Sequence, residues 1–129
     1  MADEPTVSLC FPRARRIKQG RDFLRAKTRG RRLVQGCLIA NWLVLPAGEP
    51  SRLGVITSRK LGNAVVRSRA RRLLREAFRL HQHDLAQPLD LVLVARPSIV
   101  RKPYTSVEGD YLEALGRARL LKPAPAGNE

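Results

Sequence analysis

Apolar residues in this chain fall into blocks separated by turn-forming residues, and the blocks alternate in periodicity. Gly20 to Lys27 sets Phe23 and Leu24 among cations and predicts a short helix ended by Gly30. From Leu33 to Leu45 the chain is rich in Leu, Val and Ile, holds Trp42 and carries few charges. That run is long enough for two strands with a bend at Gly36. Pro46-Ala47-Gly48-Glu49-Pro50 is a strong turn signal, and Arg52 to Thr57 is a second apolar run. The two runs are therefore expected to be antiparallel strands joined by that turn. Gly62-Asn63 interrupts the pattern, and Asn63 is a favourable N-cap for a helix over 64–81. Leu89 to Ala95 reads as a buried strand closed by Arg96-Pro97, and Tyr104 to Leu121 as a final amphipathic helix. Residues 1–12, with Pro5 and Pro12, are expected to form a flexible arm. The apolar-poor residues 123–129 are expected to be a disordered tail. Helix, strands, helix, strand, helix implies an α+β chain, a single-domain α/β sandwich with one sheet.

The helix over 64–81 carries the most information. At about 100° per residue, Val66, Ala70, Leu73, Leu74, Ala77 and Leu80 form one stripe, expected to dock on the sheet. Arg67, Arg69, Arg71, Arg72, Arg75 and Arg79 centre on the other side. A solvated helix face usually mixes signs to gain i,i+4 pairs. Here Arg67, Arg71, Arg75 and Arg79 stand at that spacing with like charge. The repulsion, a few tenths of a kcal/mol per pair, is relieved by a polyanion such as RNA or DNA. Arg59-Lys60 lies just before the helix, and the free backbone N–H groups at its start also favour phosphate.

Composition sharpens this. The 129 residues suit one domain, and the 43% hydrophobic fraction allows a core. The net charge is +14, and the cations cluster. Ten Lys or Arg stand against Asp22 alone between Arg13 and Arg32, and eight against Glu76 alone between Arg59 and Arg79. Most are Arg, whose planar fork suits phosphate. Cys10 and Cys37 have no zinc-type spacing with His81 and His83 and read as reduced thiols. No metal site and no catalytic residue are expected in the protein. Acids are sparse, Thr57 and Ser58 have no partnering His, and His81 and His83 fit helix-end caps better than a general base. With no secretion signal or membrane span, the expected location is the cytoplasm.

The stretch from Arg52 to Arg79, with its Lys-x-Gly-Asn-Ala turn and the helix opening Arg67-Ser68-Arg69-Ala70-Arg71-Arg72, resembles the signature of the bacterial ribonuclease P protein family. Leu73-Leu74-Arg75-Glu76-Ala77-Phe78-Arg79, the early Phe23, the strand at 90–95 with Arg96-Pro97 and the last helix extend the match over roughly residues 13–122.

The resemblance implies an α/β sandwich of a ribosomal-protein-domain type. It has three helices, a mostly antiparallel sheet of about four strands and a left-handed βαβ crossover, against the usual hand. It further implies a holoenzyme subunit that is inactive alone and binds a catalytic RNA 1:1. That RNA uses Mg²⁺ to remove the 5′ leader of precursor tRNA, and no cofactor has a dedicated protein site. Carried over by motif, Arg59, Lys60, Asn63, Arg67, Ser68, Arg69, Arg71, Arg72 and Arg75 would bind the RNA subunit. Phe23, Lys27, Ile39, Asn41, Ile56, Lys60 and Arg67 would line the leader cleft. Three positions depart from the family pattern. Ser68 replaces the usual Asn, and Lys27 and Asn41 stand where relatives carry aromatics, which favours electrostatic over stacking contacts with the leader. Trp42, next to Asn41, alternates to the opposite face and is expected in the core.

Other classes explain less. A basic ribosomal or other structural RNA-binding protein accounts for the charge but not for the linked turn and arginine helix. A DNA regulator reading bases would want Asn or Gln beside Arg, and residues 65–80 have neither. A protein-only nuclease would need paired carboxylates, and none stand near the basic face.

Overall fold

Asn63 opens the longest helix as expected. In this computed structural model its Oδ1 accepts a hydrogen bond from the Val66 N–H at 3.1 Å, and the helix, α2, runs Ala64–His81. The structure describes residues 16–17 and 20–122, so the expected arm and tail lie outside the described residues. Besides short 3₁₀ turns, the other elements among the described residues are α1 (Gly20–Arg29), β1 (Arg31–Gln35), β2 (Leu38–Val44), β3 (Arg52–Ile56), β4 (Leu89–Ala95) and α3 (Tyr104–Arg117).

The four strands form one mixed sheet in the order β1-β2-β4-β3. The apolar run from Leu33 is indeed two strands. β1 and β2 pair antiparallel with Gln35 opposite Leu38, so Gly36-Cys37 is the turn. Gly36 has φ 53°, and a Cβ there would meet the Asp110 carboxylate, so both backbone and space call for glycine.

The expected pairing of β2 with β3 across the Pro46–Pro50 turn does not occur. β4 lies between them, antiparallel to β2 (Ile39 opposite Val94) and parallel to β3 (Val55 opposite Leu93). The reason is burial: Leu89, Leu91, Val92 and Leu93 are fully buried, which only a central strand covered on both faces allows. Two of the three pairings are antiparallel, and β3-α2-β4 is the βαβ unit.

Alternation divides the sheet cleanly. Leu38, Ala40 and Trp42 of β2, Leu53 of β3 and Leu91 and Leu93 of β4 face α2 and α3 and form the main core, so Trp42 is where the sequence puts it. The opposite face carries a smaller core of Val92, Ala26 and Ile17, with Phe23, Ile56 and Val94 packed around it. α3 packs over β1 and β2, and α2 over β3 and β4, while α1 covers the far face.

Two helix expectations need correction. The stripe of α2 that is fully buried is Ala70, Leu74, Ala77 and Phe78, while Leu73 and Leu80 are only partly covered. Phe78, left out of the sequence stripe, is wholly buried because the contact spans two neighbours, β3/β4 and α3, and so turns the docked face. α3 ends at Arg117 rather than Leu121. Arg119 takes φ 60°, Leu120 N–H donates to Leu115 O at 2.9 Å, and Leu121 turns away to bridge Leu85.

Candidate nucleic-acid interface

Seen from outside, α2 presents its arginines on two flanks rather than one uniform face. Ser68, Arg69 and Arg72 are exposed. On one flank Arg69 Nη2 donates to Lys102 O at 2.7 Å, near the start of α3. On the other, Arg71 donates to Thr57 Oγ1 at 2.8 Å and to Ser68 Oγ at 3.1 Å. Ser68 thus positions an arginine, a use of the hydroxyl that needs no amide. Arg72, Arg75 and Arg79 line a depression with Arg16, from the segment that bridges β3 at Leu53. Burial, then the neighbouring guanidinium groups of Arg16 and Arg71, hold Arg75 below its ordinary pKa. Of these arginines, Arg79 is neutralised within the helix. It grips Glu76 with two bonds of 2.9 and 2.6 Å, which hold the Glu76 carboxyl below its usual range.

Arg67 corrects the helical wheel. It precedes Ala70, Leu74 and Phe78 by three, seven and eleven residues, so it continues the buried stripe instead of opposing it. Only its place in the first turn of α2 keeps it half-exposed, with Nη1 3.4 Å from Gly62 O. Arg59 and Lys60 stand exposed in a 3₁₀ turn capped by Ser58, whose Oγ accepts from Lys60 N–H at 3.3 Å. No acid occupies the first turn of α2. Its N-terminal end therefore combines free N–H groups with Arg59, Lys60 and Arg67.

The expected leader residues divide. Phe23, Ile39 and Ile56 are partly buried on the α1 face, Lys27 is exposed on α1, and Lys60 and Arg67 lie beyond the C-terminal end of β3. Asn41 points to the same face but is only 2% exposed, closed off from solvent. Phe23 also has a structural task, since its ring lies against Gly54 so closely that a Cβ there would overlap it.

A polar cluster that the sequence reading did not single out fixes α1 on this face. Asp90, fully buried in β4, accepts Arg52 Nε at 2.8 Å and Nη2 at 2.7 Å. Asp22 and Arg25 of α1 close the network, Arg25 Nη2 lying 3.0 Å from Asp22 Oδ1 and Arg52 Nη1 3.5 Å from Asp22 Oδ2. The signal for it was present: Asp90 is the one acid in an apolar strand, and Arg52 the one cation opening the other apolar run.

Among the described residues, no group of three or more His, Cys, Asp and Glu converges in a way that fits a metal ion, and no helix is long and apolar enough to cross a membrane. Comparison with known proteins then decides between the RNA-binding classes. The family described as Ribonuclease P matches residues 11–119. The chain belongs to the ribonuclease P protein family. The ribonuclease P protein component of Ruegeria pomeroyi is 39% identical over 124 residues, covering 92% of this chain and 98% of that protein. That of Brevibacillus brevis is 33% identical over 116 residues, covering 90% and 92%. Among solved structures, the ribonuclease P protein of Staphylococcus aureus superposes with a TM-score of 0.77 at 26% identity, covering 85% of this chain and all of that one. The Thermotoga maritima protein gives 0.70 at 28%, covering 79% and 96%. As a ribonuclease P protein the chain takes its place as a subunit in tRNA processing, and the general ribosomal alternative falls away.

Proposed function

We propose that this subunit anchors the ribonuclease P RNA on α2 and its N-terminal turn, and holds the 5′ leader of precursor tRNA against the α1 side of the sheet. The RNA is the catalyst in this reading, one protein binds one RNA, and Mg²⁺ belongs to the RNA. The observation that carries it is the crowding of Arg71, Arg72 and Arg75 along one side of α2 beside Arg16, where the one lining carboxylate, Glu76, is gripped by Arg79 and phosphates would relieve the repulsion between the cations. Arg59, Lys60, Asn63, Arg67, Ser68 and Arg69 extend that surface towards the helix start. At the leader, Lys27 supplies charge where stacking is sparse, and Phe23, Ile39 and Ile56 supply the apolar floor.

The experiment has two arms. Replacing Arg69 and Arg72 together by Ala keeps the buried stripe intact, so the fold should survive. RNA affinity should then fall, and the slope of log affinity against log salt should flatten by about one unit per lost phosphate contact. In the second arm, rigorously RNA-free protein should cleave no precursor tRNA, and adding the RNA subunit with Mg²⁺ should restore site-specific cleavage. Cleavage by the protein alone, or unchanged affinity in a folded double variant, defeats the reading.

A further inference from the structure

The arginine helix serves only the β3 side of the sheet; the β1 edge carries a second basic surface. Beyond the last turn of α3, a groove of about 660 Å³ opens over β1 and β2 on the same side as the helices. Leu33, Trp42 and Leu120 give it an apolar floor, and Arg31, Arg117 and Arg119 flank it. Arg31 lies directly across the strands from Trp42, so both side chains turn to this face. Arg117 is held over β1 by donating from Nη1 to Gln35 Oε1 at 2.6 Å. No carboxylate lines the groove, and among the described residues neither Arg31 nor Arg119 forms an ion pair.

Ordinary roles account for part of this. Cations guard an edge strand against pairing, which covers Arg31. The C-terminal end of a helix favours a cation, and Arg117 already supplies it. Arg119 is different. It sits at φ 60°, with its N–H donating to Gly116 O at 3.1 Å, in the left-handed position after a helix where glycine is favoured. The backbone carries a strained residue there, and what it gains is an exposed arginine lining the groove.

We propose that this groove binds a second segment of the ribonuclease P RNA backbone, separate from the segment on α2. The proposal rests on the reading of α2 as an RNA contact. Placement favours the RNA subunit over the tRNA leader, because α2, α3 and the groove share one side of the sheet while Phe23, Ile39 and Ile56 occupy the other. β1 and β3 are three strand spacings apart, about 14 Å, so one RNA body lying along the helical layer can reach both. Guanidinium forks would hold phosphate oxygens, and the apolar floor would take a sugar or the face of a base. A second contact tethered to the first adds to affinity as an intramolecular event.

The full-length protein is tested with ribonuclease P RNA transcript, comparing Arg119→Gly, Arg117→Gln/Arg119→Gly and the α2 variant Arg69→Ala/Arg72→Ala. Arg119→Gly should leave the melting temperature unchanged or raise it, because glycine relieves the backbone, yet weaken RNA binding several-fold and flatten the salt slope by about one unit. The double groove variant should weaken it further. The preference of the assembled holoenzyme for precursor over mature tRNA should stay the same. Unchanged RNA affinity in both groove variants, beside a weakened α2 variant, overturns this proposal alone. If the α2 variant also binds normally, the reading of α2 fails with it. A lost precursor preference with intact RNA affinity would make the substrate the occupant and likewise overturn the proposal.

Discussion

Asp90 shows how much a single side chain decides here. A carboxylate with no solvent access is tolerated because Arg52 meets both of its oxygens in a fork, and this binds the starts of β3 and β4 to each other and to α1. Its hydrogen bonds to Asp90, helped by the charges of Asp90 and Asp22, outweigh burial and hold the Arg52 guanidinium above its ordinary pKa. Arg52→Ala leaves the buried Asp90 with only Arg25 Nη2, 4.0 Å away, and is expected to cost about 3 kcal/mol, the low end for such losses because Arg25 remains and Arg52 is partly exposed. Urea denaturation of Arg52→Ala beside Arg52→Ala/Asp90→Leu checks this, since removing both charges should recover much of the loss. At Gly54 the constraint is volume: Gly54→Ala drives a Cβ into the Phe23 ring and should cost about 1–3 kcal/mol in the same assay. Cys37 is a free, buried thiol pushed up to about 12, first by burial and then by its hydrogen bond to Asp110. It should resist alkylation near neutral pH in the folded protein and react only on unfolding.

Between elements, the junction of α2 and α3 depends on His81. Its Nε2 lies 2.7 Å from Glu108 of α3, and its Nδ1 3.1 Å from Asp84 just past α2. Burial works against the charged ring, but hydrogen bonds to Glu108 and Asp84 and their charges prevail, so its pKa is raised above 6.5. Tyr104, pushed up to about 12 by burial and by Glu108, and the fully buried Tyr111 stay neutral around it. The sign follows from linkage: a raised folded pKa gives stability that is complete below the unfolded value and is lost as pH rises through the folded one. The parent should therefore exceed His81→Gln in melting temperature at about pH 5.5, and the gap should close towards about pH 9. A gap that does not change with pH would leave His81 with a packing role only.

For the whole molecule, the net charge of +14 sets a tension between folding and partner binding. Self-repulsion destabilises the compact state, and added salt screens it. Without RNA, the melting temperature should rise as sodium chloride goes from about 0.05 M to about 0.5 M, while RNA affinity falls over the same range. Opposite trends in the two measurements identify the charge as a binding device. A melting temperature that falls with salt would mean that surface ion pairs dominate instead.

Local sequence was enough for much of this protein. The span of α2, its Asn63 cap, the span of β4, the inward Trp42 and the linked turn and arginine motif are all legible, because periodicity, capping and charge spacing act over a few residues. The sheet order was not. The Pro46–Pro50 turn suggested a β2–β3 hairpin, but β4, read later in the chain, gains most by burial on both faces and so takes the centre. The direction of Arg67, the burial of Phe78 and the enclosure of Asn41 depend likewise on which neighbour each face meets. Arg31 and Arg119 lie far apart along the chain, and the end of α3 had to stop at Arg117 and turn before they could flank one groove. Contacts between distant segments carry no local signature, so only packing brought these residues together.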